Sequence, residues 1–297
     1  MKAIVIGMDG LIGGALAQAI RAEGGQVHGT SRRADAAASG LQRLDLAEPN
    51  PGDVGLPSAD VAFFCAAMVR FAECRANPRL ARQINVVAPA ALARRLAAQG
   101  TRPILLSTSA VYDGRAARVL SSEPPRPVTD YGRLKAEAEA EFLALGEGAS
   151  VVRLTKVLAP RQPIFIRWIE ALSRGESVTA FSDLGLAPVS LAAAIRGLSA
   201  IATQGEGGIF QVSAASDIAY AEAARHVAGR VGADRKLVVS QRGVDAGMPP
   251  EQMTLLSSLD ASRLATLTGE GAPDPFDVID EVFGAEMKQA RGQTVSQ

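Results

Sequence analysis

The first 33 residues constrain the chain most. Ala3-Ile-Val-Ile6 is an apolar run that stops at Gly7, and glycines follow at Gly10 and Gly13. A short continuous apolar run predicts a strand buried on both faces, as in a parallel sheet. Ala15, Leu16, Ala19 and Ile20 then recur at helical spacing up to Gly24-Gly25, and Val27–Thr30 predicts a second strand. In a strand–glycine turn–helix–strand unit each glycine has a use. Gly7 permits a tight bend, Gly10 lets a pyrophosphate approach the backbone, and Gly13 lets the helix pack against the strand. The helix N-terminus, with Leu11 and Ile12 in its first turn, offers N–H groups and a positive dipole end to phosphates. Glycine spacing alone also fits a turn without a ligand; the strand–helix context argues for a dinucleotide site.

The end of the second strand bears on which dinucleotide. A site for NAD usually carries an acid there, to bond the ribose 2′-hydroxyl. This chain has Thr30-Ser31-Arg32-Arg33 and no acid until Asp35. Guanidinium groups and a hydroxyl suit a 2′-phosphate, because Arg pairs bidentately with phosphate oxygens. The expectation is NADP(H), with Ser31, Arg32 and Arg33 as contacts; one of the two arginines can equally be a solvated surface charge.

The chain has 297 residues, enough for one large or two modest domains. Its 31 basic and 31 acidic side chains balance, which leaves no excess to neutralise a nucleic-acid backbone. No apolar run reaches membrane-spanning length, the first residues enter a strand at once, and Cys65 and Cys74 make no disulfide framework. A cytoplasmic protein without nucleic-acid or membrane partners is expected, and no metal site.

Further along, Leu41–Leu46 predicts a brief third strand ending near Asp45, whose carboxylate suits either an adenine amino group or a turn. Ala59–Phe64 predicts a buried strand, and the small residues Cys65-Ala66-Ala67 after it leave room for a ligand at the sheet's carboxyl edge. Cys65 and Cys74 are read as structural. Asn77-Pro78 opens one long helix to about residue 98, with Asn85 in its middle as a packed polar group or part of a site. Pro103–Leu106 predicts a strand that ends in Ser107-Thr108-Ser109, followed by a loop to Pro127 of the kind that is often mobile. Thr129-Asp130 caps a helix carrying Tyr131 and Lys135 four apart on one face. Ser150–Leu154 is a sixth strand. Helices are expected around 164–172 and at 190–202, 216–230 and 274–287, with strands at 208–212 and 236–240. Arg153 and Lys156 suit an anionic substrate group or the surface equally. The division expected is a doubly wound parallel α/β domain over 1–155, a smaller α/β substrate lobe with late sheet elements over 156–284, and a polar, frayed tail over 285–297.

Taken together, Gly7-Met-Asp-Gly10-Leu-Ile-Gly13, Asp45-Leu46, Cys65-Ala66-Ala67, Asn85-Val86, Ser107–Tyr112 and Tyr131-Gly-Arg-Leu-Lys135 resemble the extended short-chain dehydrogenase/reductase family over essentially the whole length. Within it, Ser107-Thr-Ser-Ala-Val-Tyr-Asp-Gly114 is similar to the Ser-Thr-Asp-Tyr-Val-Phe-Asp-Gly of the dTDP-4-dehydrorhamnose reductase branch. The resemblance implies a Rossmann-type fold and a sugar nucleotide or similar polar substrate. It implies Tyr131 as general acid, Thr108 as hydrogen-bond donor to the substrate carbonyl, and Lys135 as the cation that lowers the phenol's pKa and bonds the nicotinamide ribose. It implies that Asn85 supports the lysine and that Asp45 and Leu46 border the adenine, with Ala66 and Ala67 also on the cofactor. A homodimer is compatible with it. Ser109-Ala110 departs from the branch's Asp-Tyr, and Cys65 stands where many relatives have Asn. The rival readings are a nucleotide-sugar epimerase or dehydratase using the cofactor transiently, and a dinucleotide-binding regulatory subunit without catalysis. Thr108-Ser109 offers no Asp-Glu pair for dehydration.

Overall fold

The computed structural model describes residues 1–49 and 54–294. Seven parallel strands form the central sheet: β1 (Lys2–Ile6), β2 (Gln26–Ser31), β3 (Gln42–Arg43), β4 (Val61–Phe64), β5 (Arg102–Thr108), β6 (Ser150–Leu154) and β11 (Gly208–Val212). Their spatial order is β11-β6-β5-β4-β1-β2-β3. The chain therefore leaves β1 in one direction and returns past it in the other, so a crevice opens at the carboxyl edge where the order reverses.

Side-chain alternation along the strands makes two cores. Ala3, Val5, Phe63, Ile104 and Val152 face one side, where they meet Leu16 and Ile20 of α1 (Leu11–Ala22) and Leu198 and Ile201 of α7 (Leu191–Gln204). Ile4, Ile6, Phe64, Leu105 and Val151 face the other, against Leu92 and Leu96 of α4 (Ala88–Ala98) and Phe142 of α5 (Asp130–Leu143). Strands buried on both faces need apolar residues at every position, and that is why β1 and β4 read as continuous runs.

A third core lies in the C-terminal half. Phe165, Trp168 and Ile169 of α6 (Pro163–Ser173) pack with Val227 of α8 (Tyr220–Val231) and Ile279 and Phe283 of α10 (Pro275–Thr294). Against them lie β8 (Val178–Phe181) and β13 (Val238–Gln241), a parallel pair. Of the shorter strands, β7 (Lys156–Leu158) pairs in parallel with β10 (Pro188–Ser190), and β12 (Ile218–Ala219) pairs antiparallel with β9 (Gly185–Leu186).

Several expectations need correction. The long helix after Asn77 is two helices, α3 (Pro78–Arg82) and α4, joined by a wide π-type turn over Gln83–Val87. Pro89 has no N–H and its ring crowds the carbonyl of Asn85, so the ordinary ladder cannot continue there. The start of the 216–230 helix is β12 instead. The expected frayed tail continues α10 to Thr294, with Met287 and Ala290 buried against the lobe core. The loop after Tyr112 is pinned: Arg118 N–H donates to Ser258 Oγ at 2.9 Å and Val119 bridges to Leu259.

Candidate functional site

Every strand end named above lies on one edge because the sheet is parallel, and the glycine turn begins there. Gly7 has φ +85°, and a Cβ on it would stand 2.7 Å from the Cβ of Ala66. A Cβ on Gly13 would stand 2.4 Å from the Gly7 carbonyl oxygen. The turn is thus squeezed between β4's end and α1, and only glycine fits at either position. Gly10 is the N-cap of α1 and supplies no side-chain cap. Among the described residues the first-turn N–H groups of Leu11 and Ile12 have no protein acceptor, as a helix N-terminus built for an anion requires. The Leu11 side chain is exposed and that of Ile12 packs on the sheet, so these two residues offer backbone alone.

A cleft of about 610 Å³ runs from this turn along the sheet edge. Gly7, Asp9, Gly10, Arg32, Asp45, Leu46, Cys65, Ala66, Ala67, Arg70 and Ile84 line it. The volume falls within the range of pockets that hold small molecules and cofactors. The donor set, a glycine cradle that a Cβ would fill, free helix N–H groups and a guanidinium at the end of β2, fits a dinucleotide.

The residues at the end of β2 divide differently from the expectation. Arg32 lines the cleft, whereas Arg33 is drawn to Asp9 and Asp35 at 3.8 and 3.6 Å and donates to Ser39. Ser31 is buried, and its hydroxyl donates to Asp9 Oδ2 at 2.8 Å. Thr30, buried beside it, accepts from the Gly7 N–H at 3.3 Å, and Met8 N–H donates to the Thr30 carbonyl at 2.9 Å. Sequence reasoning missed Asp9 and Thr30. The available signal was an acid between the first two glycines, which a turn read only for its glycines passes over.

The expected catalytic residues Thr108, Tyr131 and Lys135 do not line this cleft; they lie on β5 and α5, next to β4 in the sheet. Thr108 ends β5, and its Oγ1 accepts from the Ala110 N–H at 3.1 Å, which leaves the hydroxyl proton for another partner. Gly132 explains how close α5 comes: a Cβ there would stand 2.1 Å from the Ala110 carbonyl oxygen. Thr129 caps the same helix by accepting from the Gly132 N–H at 3.0 Å. Tyr131 therefore leaves the first turn of a helix pressed against the Ser109–Val111 turn, and its ring lies 5.9 Å from that of Phe71 in α2 (Phe71–Ala76). Lys135, one turn on, is buried, and its charge is felt at Cys65 on the cleft wall.

The electrostatics alter one expectation. Burial, with a smaller effect of Cys74, raises the Tyr131 pKa above the usual phenol value; Lys135 does not depress it. The phenol is held protonated. Burial also lowers Lys135 to about 8, with Glu139 and then Cys65 pulling it back up. Burial pushes the Cys65 thiol up to about 12 against the pull of Lys135, consistent with a small packing residue.

Two polar residues act at one remove. Asn85, buried in the π-type turn, accepts from the Met68 N–H at 2.9 Å and donates to the Met68 carbonyl at 3.0 Å. It holds the cleft-lining loop after β4 and does not itself line the cleft. Arg153 is neither a surface charge nor free for substrate. It is 1% exposed and ion-paired at 2.7 Å with Glu139, itself 2% exposed. Glu139 also accepts from Ser107 Oγ at 2.5 Å, and Arg153 donates to the Tyr112 hydroxyl and the Ser121 carbonyl. Charge burial of this kind persists only with full pairing, and it explains why Arg153 sits mid-strand. Lys156 is exposed on β7.

A doubly wound parallel sheet with a glycine turn after β1 and a crevice at its switch point defines a Rossmann-type α/β protein. The chain belongs to the RmlD substrate binding domain family, whose model matches residues 1–273, within the extended short-chain dehydrogenase/reductases. It is similar to a probable low-salt glycan biosynthesis reductase of Haloferax volcanii, 25% identical over 283 residues, covering 92% of this chain and 94% of that protein. A shorter match, 35% identical over 94 residues, is to the methionine adenosyltransferase 2 subunit beta of Xenopus tropicalis, covering 32% of this chain and 28% of that one. In fold it resembles a dTDP-4-dehydrorhamnose reductase of Bacillus anthracis solved with NADP, with TM-score 0.79, 17% identity, and 96% and 99% of the two chains covered. Among the described residues no helix is long and apolar enough to cross a membrane.

Proposed function

We propose that the protein is an NADP(H)-dependent reductase that acts on a keto group of a sugar nucleotide or a similar polar substrate. The dinucleotide, when bound, supplies the hydride. Gly7, Gly10 and Gly13, the N–H groups of Leu11 and Ile12, Arg32, Asp45, Leu46, Ala66 and Ala67 hold it. Thr108 donates its spare hydroxyl proton to the substrate carbonyl oxygen and polarises it. Tyr131 then gives its proton to that oxygen. The phenol carries its proton at neutral pH, and because burial makes it a weaker acid, its transfer depends on a cation such as Lys135 nearby. Lys135 offers a buried cation to the ribose hydroxyls, and Asn85 steadies the loop beside them through Met68.

The reading rests on one observation: Thr108, whose hydroxyl proton is uncommitted, and Tyr131 adjoin a contact, Gly132 on Ala110, too close for any side chain. The relative from Haloferax volcanii, named as a reductase and matched over most of both chains, supports the same class. Tyr131→Phe tests it with nucleotide-linked keto sugars and NADPH consumption. Turnover should fall by at least about a hundredfold, the usual scale of a positioned acid, while NADPH still raises the melting temperature. Unchanged turnover would reassign the acid.

A second reading is a dinucleotide-binding subunit without catalysis; the short match that draws attention to it is to a protein named as a subunit of an adenosyltransferase. That reading predicts dinucleotide binding with no NADPH consumption by the parent protein against any keto sugar.

A further inference from the structure

Asp9 is an acid held beside the end of β2, although it comes from the glycine turn after β1. In a nicotinamide dinucleotide site the acid is ordinarily at the end of β2. Here β2 ends in the buried Ser31, and the glycine turn is stitched to that strand end by Gly7 N–H to Thr30 Oγ1 and Met8 N–H to the Thr30 carbonyl. The stitching brings the Asp9 carboxylate to 2.8 Å from Ser31 Oγ. Asp9 lines the same cleft as Arg32, and its side chain remains about one-third exposed. Two opposed charges thus flank one corner of the cleft, and Arg33, drawn towards Asp9 and Asp35, balances the acids behind it.

We infer that Asp9 is a specificity-determining residue: its carboxylate accepts a hydrogen bond from the ribose 2′-hydroxyl of NADH and repels the 2′-phosphate of NADPH. Arg32 attracts that phosphate, so the two charges together set how far the cleft prefers NADPH over NADH. Ser31 acts through Asp9, fixing which carboxylate oxygen remains free. A hydroxyl needs an acceptor, which Asp9 supplies and Arg32 cannot. A phosphate carries up to two charges, which Arg32 neutralises and Asp9 opposes.

The inference rests on the dinucleotide reading above, and one experiment separates the two. Dissociation constants of NADPH and NADH are measured by calorimetry for the purified full-length protein and for Asp9→Asn and Asp9→Ser. Asn keeps the shape and a contact to Ser31; Ser keeps the turn if Asn disturbs it. The ratio Kd(NADH)/Kd(NADPH) should rise by on the order of tenfold in both variants, the size of one lost charge–phosphate repulsion joined to one lost hydrogen bond. NADH should weaken and NADPH tighten. A ratio within twofold of the parent, or a fall, overturns the role of Asp9 while leaving the dinucleotide reading intact. Failure of the parent to bind either nucleotide overturns both.

Discussion

Replacing Glu139 by Gln removes one negative charge from a place where two positive ones are buried. Arg153 is 1% exposed and, among the described residues, takes its ion pair from Glu139 alone. Lys135, one turn earlier on the same helix, is held up by the same carboxylate. Removing one partner of a buried pair costs about 3–5 kcal/mol, because the remaining charge stays out of water uncompensated. Unfolding entropy of about 2 cal/mol/K per residue gives about 0.6 kcal/mol per kelvin for a chain of this length. The melting temperature should therefore fall by about 5–8 °C. Circular dichroism at pH 7 reads the shift. The double variant Glu139→Gln, Arg153→Met should melt above Glu139→Gln alone, since it no longer strands a guanidinium. A loss of about 1 °C or less in the single variant, or strictly additive losses in the double, would refute the pairing argument.

Further expectations can be checked alongside. The Lys135 pKa lies near 8 in the fold and near its ordinary 10.5 when unfolded, so the unfolded state binds the extra proton between these values. The sign is that stability contributed by this group rises with pH across that window and is flat outside it; denaturant melts of Lys135→Met against the parent from pH 7 to 10.5 should show the rise in the parent only. Gly132→Ala places a methyl 2.1 Å from the Ala110 carbonyl oxygen, so α5 must move; kcat should fall by about tenfold or more, in the manner of misplaced catalytic groups, while the Kd for NADPH changes little. Gly13→Ala does the reverse, because its methyl would meet the Gly7 carbonyl oxygen at 2.4 Å. There calorimetry should show dinucleotide binding lost.

The amino acids announced the sheet because β1 and β4 are buried on both faces, and such strands read as unbroken apolar runs. They announced the glycine turn because its backbone geometry admits no other side chain at Gly7 and Gly13. What escaped was settled by long-range pairing. Arg153 reads as a surface charge until Glu139 and Tyr112 are brought to it from 14 and 41 residues away. Asp9 and Ser31 are 22 residues apart and become partners only when β1 and β2 align. The π-type turn needed Pro89 to be read against a carbonyl four residues back, and α10 outlasts its polar composition because Met287 finds the lobe core. The phenol's raised pKa follows from its burial and, to a smaller extent, from Cys74, which no spacing rule contains.

The meeting of Gly132 with Ala110 is main chain on main chain, with no compressible side chain between them. A joint of that kind has a single setting. Substitutions in the core built on α6, α8 and α10 do not touch that joint, which sets where α5 starts against the end of β5. The packing of the lobe is open to change, and the seat of α5 on the end of β5 is not.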